Sequence, residues 1–155
     1  MTTNKIKIAK DKANLVKALL DESETTGPFQ TYADVMAFAA ALGAKRKKRS
    51  PLGAAAKKEP GPIGLEIFAS RGYDVMMKIL AIVETQDPKI LSSGDPKYES
   101  QRIQIFEEYA NGGLEVLREQ LRGVVDYTEQ LLLIMQAERD KPQQSEQEFD
   151  LTRFL

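Results

Sequence analysis

The chain contains no cysteine, no histidine and no tryptophan. Without thiols it can form no disulfide and carry out no thiol chemistry. Without imidazole it lacks the side chain that most often moves protons in catalysis and binds zinc. Carboxylates, lysines, tyrosines and hydroxyls remain, so the expectation is a protein that is not an enzyme and uses no cofactor. No run of eighteen apolar residues occurs, and the N-terminal MTTNKIKIAK has no apolar signal core. A cytoplasmic protein with no membrane partner is expected.

What is present suits one compact domain: 155 residues, 42% of them apolar, are enough to bury a real core. The formal charge of -1 hides an asymmetry. Residues 1–60 carry twelve Lys and Arg against six Asp and Glu, whereas residues 61–155 carry ten against seventeen. A basic front half can face nucleic acid while an acidic back half faces solvent or a basic partner.

Patterning predicts a mainly helical single-domain bundle over residues 1–140 with a short N-terminal strand, followed by a flexible polar tail, 141–155, ending in apolar residues. Lys5, Ile6, Lys7 and Ile8 alternate as in a strand. A helix from Lys12 to Asp21, capped by Asp11, follows. After a loop through Gly27 and Pro28, Thr31 caps a second helix that reaches Leu42, with Gly43 as its stop. Residues 44–62 read as a basic, exposed connection, and Ile63, Leu65 and Ile67 as a second short strand able to pair with the first. A helix from Tyr73 to Glu84 is apolar nearly all round, which predicts burial. Another opens near Ser100. Leu114, Leu117, Leu121, Val124, Thr128, Leu131 and Met135 are spaced three and four apart, predicting one long central helix broadened by Val125 and Leu132. Covering that seam with a second copy is the alternative to burying it within the chain.

Three features suggest function. The order strand, helix, helix with outward Lys5 and Lys7 is that of a ribbon-helix-helix DNA binder, in which two chains pair their strands in the major groove; an edge strand protected by its lysines explains the same pattern. The run Lys45, Arg46, Lys47, Lys48 and Arg49 can neutralise several backbone phosphates, although cations near a helix end also complement its dipole. With no aromatic side chain interleaved in the run, base stacking is not indicated. Leu151, Phe154 and Leu155, on an acidic tether, have the form of a docking peptide for a partner or a neighbouring copy. Glu107 and Glu108 are adjacent, so on a helix they point apart, and Glu115 and Glu119 beside Arg118 and Arg122 read as helix ion pairs. Asn111-Gly112-Gly113 lacks the lysine and the preceding strand of a phosphate-binding loop.

Three phrases, GPFQTYADVMAFAAALGAKRKKRSPL, LAIVETQDPKIL and IFEEYANGGLEVLREQL, run in that order through the chain. They resemble the small associated protein of bacterial DNA phosphorothioation (Dnd) systems, over about residues 5–135, with EEYANGGLEVL the most specific part. The resemblance implies a cytoplasmic bacterial accessory working beside DNA sulfur modification or its linked restriction. Together with the basic residues it leads to the expectation of a non-catalytic accessory that contacts the DNA backbone through Lys5, Lys7 and Lys45–Arg49 and works with other Dnd proteins; the alternative is a protein adaptor or regulator of the same system with no direct DNA contact. The resemblance implies no catalytic residues.

Overall fold

A computed structural model describes residues 4–22 and 27–141. The terminal peptide with Leu151, Phe154 and Leu155 lies outside the described residues. The elements are β1 (Lys5–Ile6), α1 (Ala13–Ala18), α2 (Tyr32–Lys45), β2 (Ile63–Gly64), α3 (Leu65–Ser70), α4 (Tyr73–Thr85), α5 (Pro96–Gln120) and α6 (Tyr127–Asp140), with 3-10 turns at Lys10–Lys12 and Pro88–Leu91. The helical fold with a short strand at its start is as the sequence predicts.

The alternating lysines and isoleucines fall as expected: Ile6 and Ile8 are fully buried while Lys5 and Lys7 are exposed. β1 pairs antiparallel with β2 of the same chain, Lys5 opposite Gly64 and Ile6 opposite Ile63. Further along, Ala9 bridges Ala55. The strand thus has its partner within the chain, unlike a two-chain ribbon. β2 stops at Gly64 because Leu65 begins a helix, not a continued strand. The intervening connection is less exposed than its composition suggests, since Ala56 and Pro60 are buried.

The core sits where α2 crosses α5. Thr31 caps α2, its hydroxyl accepting from the Asp34 backbone N–H at 3.2 Å. Ala39, Ala40 and Gly43 then face Ala110, Gly113 and Leu114, all buried. Gly43 lies inside the helix instead of ending it, and the reason is close approach: a Cβ there would lie 2.0 Å from the Tyr109 carbonyl oxygen. Gly113 is crowded likewise by the Ala39 carbonyl. Phe106, Leu114, Leu117, Val16, Leu19 and Phe68 fill the space around the crossing.

Several elements differ from the patterning. The predicted first helix is a 3-10 turn plus six α-helical residues, since Leu20 and Phe29 form a bridge that draws the chain out of the helix. α5 opens at Pro96, capped by Asp95, and runs straight through Asn111-Gly112-Gly113. The long seam is broken: α5 ends at Gln120, Gly123 adopts φ 75°, and Asp126 caps α6 through the Glu129 N–H. Leu121 and Leu131 are buried, but Val125 and Leu132 are exposed, so they do not widen a core face. α4 is also not buried all round: Met77 and Ala81 are buried and Tyr73, Met76, Leu80 and Ile82 pack against the core, while Val75, Ile79 and Val83 are exposed. Among the described residues, no helix is long and apolar enough to cross a membrane.

Candidate functional site

α2 ends in a turn that aims the basic run. Lys48 N–H donates to the Gly43 carbonyl at 2.8 Å, and Lys47 takes the left-handed conformation, φ 53°, that glycine usually fills at this position. The chain therefore folds sharply back on α5. Arg46 pairs with Glu138 of α6, and Lys45 Nζ donates to the Glu138 carbonyl. Lys48 reaches Glu115 at 3.2 Å. Arg49 forks between Glu84 of α4 at 2.7 Å and Glu108 of α5 at 2.8 Å, with its guanidinium 6.0 Å from the Tyr109 ring centre. Carboxylates of the acidic back half thus meet four of the five cations. Lys47 has no side-chain partner among the described residues.

The helix that receives this run carries a polar stripe at spacing four: Glu107, Asn111 and Glu115. Lys12, only 1% exposed, donates to Asn111 Oδ1 at 3.0 Å and lies 3.3 Å from Asp11 and 3.7 Å from Glu115. Asn111 in turn donates to the Ser50 and Pro51 carbonyls, which ties the segment after the basic run to α5. Burial would raise the Glu115 carboxyl, but hydrogen bonds from Lys48 and Ser50 outweigh it and hold it below the ordinary range. Glu107 is the opposite case. It is 5% exposed, accepts from the Lys7 backbone N–H at 2.6 Å, and burial pushes its carboxyl up. Tyr109 is pushed up to about 12 by burial and by its bond to Glu84.

Lys5 and Lys7 sit beside Glu107 and Glu108 at a cleft of about 450 Å³. Their ammonium groups have no ion-pair partner among the described residues. Glu108 links the two sets of predicted residues, lining the cleft on one side and holding Arg49 on the other. Of the predicted helix ion pairs, Arg122, in the turn after α5, meets Glu119 at 3.1 Å, whereas Arg118 turns to Asp11 and Glu115 to the front half. Sequence reasoning missed Lys12, Asn111 and Glu138. The signal for Asn111 was its place four residues from both Glu107 and Glu115, next to the buried line of Phe106, Ala110 and Leu114.

A second exposed feature is apolar. On α4, Val75, Ile79 and Val83 are 57%, 54% and 62% exposed, four residues apart and so on one side of the helix. Asp74 and Lys78 flank this stripe. Leu132, Leu133 and Met135 of α6 are also more than half exposed.

The chain matches the family described as DNA sulphur modification system-associated protein 4 over residues 5–154. No curated protein and no solved structure matches it. The phrase EEYANGGLEVL is the part of α5 that holds Lys7, Lys12, Lys48 and Arg49, so the segment most specific to the resemblance is also where the two halves of the molecule join. With nearly its whole length matched, the chain belongs to the DNA sulphur modification system-associated protein 4 family.

Proposed function

We propose that this chain is a non-catalytic protein adaptor of the DNA sulphur modification system, docking through α4 onto another protein of that system. The observation that carries this is the stripe Val75, Ile79 and Val83. Three large apolar side chains in a row on one helix face, each more than half exposed, cost solubility unless a partner covers them. Spacing of four is the anchor pattern by which a helix fills an apolar groove. The partner is taken from the family, whose members are associated with the modification system. The non-catalytic part rests on the absence of histidine and cysteine. Co-purification with each of the other proteins of the system, expressed singly, tests it. Ile79→Asp should lose the partner while keeping the wild-type circular dichroism; retained capture would remove α4 from the interface.

Contact with DNA backbone is a second function, favoured by a different observation. Lys5, Lys7, Lys10, Lys57 and Lys58 are exposed on the paired segments 5–10 and 54–64, and none has an ion-pair partner among the described residues. Phosphate contact at these lysines makes affinity fall with salt, with a log–log slope of about one per contact. Replacing Lys5 and Lys7 by alanine should weaken binding to all duplexes and flatten that slope by about two. The run Lys45–Arg49 contributes less in this scheme, because Glu84, Glu108, Glu115 and Glu138 already neutralise it.

A further inference from the structure

β1, the segment around Leu52–Ala55 and the first half of α5 enclose the cleft of about 450 Å³. That size lies within the range of small-molecule sites. β1 contributes Lys5 and the segment just after it Lys7, α5 contributes Glu99, Ile103 and Glu107 on successive turns, and Leu52 adds a second apolar contact. Of the cleft's three carboxylates, Glu107 accepts from the Lys7 backbone N–H and lies in the field of the Lys7 ammonium, and Glu108 is held by Arg49 and Gln104. Neither lysine ammonium forms an ion pair among the described residues, so both can meet a ligand. Glu99 stands between this cleft and a neighbouring one, and its Oε1 is buried with no hydrogen-bond partner. An unpaired buried acceptor of this kind is costly, and a turn about its last side-chain torsion would present it to the cleft.

A fitting ligand is anionic where it meets Lys5 and Lys7, flat and apolar against Leu52 and Ile103, and rich in N–H donors toward Glu99. The geometry points to a single nucleotide: phosphate on the two lysines, base on the two aliphatic side chains, base N–H groups on the Glu99 carboxylate. Guanine is the preferred base, because its N1–H and 2-amino group lie side by side and match the two oxygens of one carboxylate, whereas thymine offers one imide N–H. The nucleotide is either free or the unstacked end of a DNA strand, which present the same groups. This inference rests on the DNA-contact function above, sharing Lys5 and Lys7 with it, and is independent of docking through α4.

The test is titration of the full chain, followed by amide NMR shifts and calorimetry, with dGMP, dTMP, deoxyguanosine, inorganic phosphate, a single strand with a terminal guanine nucleotide, and a blunt duplex. The expected result is binding of dGMP with shifts at Lys7, Gly53 and Ile103, tighter than dTMP, deoxyguanosine or phosphate. Lys5→Ala with Lys7→Ala should weaken it by about tenfold, equivalent to about 1.4 kcal/mol. Glu99→Gln should narrow the preference for dGMP over dTMP in a protein that still folds. Binding of the strand as well as dGMP supports a strand end as the source; binding of dGMP alone supports a free nucleotide. Equal binding of dGMP and phosphate overturns the site as a nucleotide site. Salt-sensitive duplex binding without dGMP binding overturns the inference and leaves DNA-backbone contact standing. No binding of either overturns both.

Discussion

Replacing Gly113 by alanine opposes two effects of known sign. In an open helix the change is stabilising by about 1 kcal/mol, because alanine loses less backbone entropy on folding. Here the added Cβ would lie 1.7 Å from the Ala39 carbonyl oxygen, against an ordinary contact of 3.4 Å or more. The obstacle is backbone and cannot turn aside, so α2 and α5 must separate by more than about 1 Å. A gap of that order forfeits a quarter to a half of the dispersion at each contact. The contacts affected include Ala39, Ala40, Gly43, Ala110 and Leu114, the centre of the core. Overpacking costs of about 1–3 kcal/mol are typical, and this site belongs at the upper end. The net expectation is a loss of about 2 kcal/mol. Urea unfolding followed by circular dichroism should show an unchanged slope and a midpoint lower by about 1 M, with Tm lower by roughly 4–8 °C. Gly123→Ala, at φ 75° with nothing within 4 Å, isolates backbone strain and should cost about 1 kcal/mol without crowding. A Gly113→Ala protein as stable as wild type or more so would refute the close crossing of α2 and α5.

Lys47→Gly should stabilise the chain by about 1 kcal/mol, since the left-handed residue after α2 then carries no Cβ; a lower thermal midpoint would contradict the turn geometry. Asn111→Ala removes the buried neutral acceptor of the Lys12 ammonium, leaving Asp11 and Glu115 beside it, and should cost about 2 kcal/mol, while adding Lys12→Met should cost less than it does alone; strictly additive losses in denaturant melts would show the two are not coupled. Burial raises the Glu107 carboxyl above its ordinary 4.5, so the folded state binds this proton more tightly than the unfolded state. Its contribution to stability is therefore largest at low pH and is lost as pH rises from the ordinary value through the folded one. Glu107→Gln should be at least as stable as wild type at neutral pH, with the advantage vanishing below about pH 4. A variant that is weaker at neutral pH and no closer to wild type in acid would mean that Glu107 supports the fold as a charge.

Where a local rule set the structure, the sequence was legible. Alternation at Lys5–Ile8 buried both isoleucines and exposed both lysines, and Thr31 capped α2 as its spacing from Asp34 suggests. The seam from Leu114 to Met135 misled because periodicity passes unchanged through a short break, whereas one left-handed residue, Gly123, redirects the chain. Gly43 was misread because a glycine needed for close helix approach looks the same as one that ends a helix. The all-round apolar pattern of α4 did not distinguish burial in the core from an outer face left to solvent. The basic run was visible as composition, but its partners Glu84, Glu108, Glu115 and Glu138 lie far away in sequence, beyond any spacing rule. Lys12 reads as one surface lysine among many until the fold brings Asn111 over it.

The adaptor function is tested most directly by a photo-crosslinking amino acid placed at position 79, with position 57 as comparison, in cells expressing the whole modification system. Docking through α4 predicts an adduct from position 79 with another protein of that system, and none with it from position 57. Adducts to nucleic acid from position 57, with no protein adduct from position 79, would contradict the adaptor and identify the lysine-bearing face as the working surface.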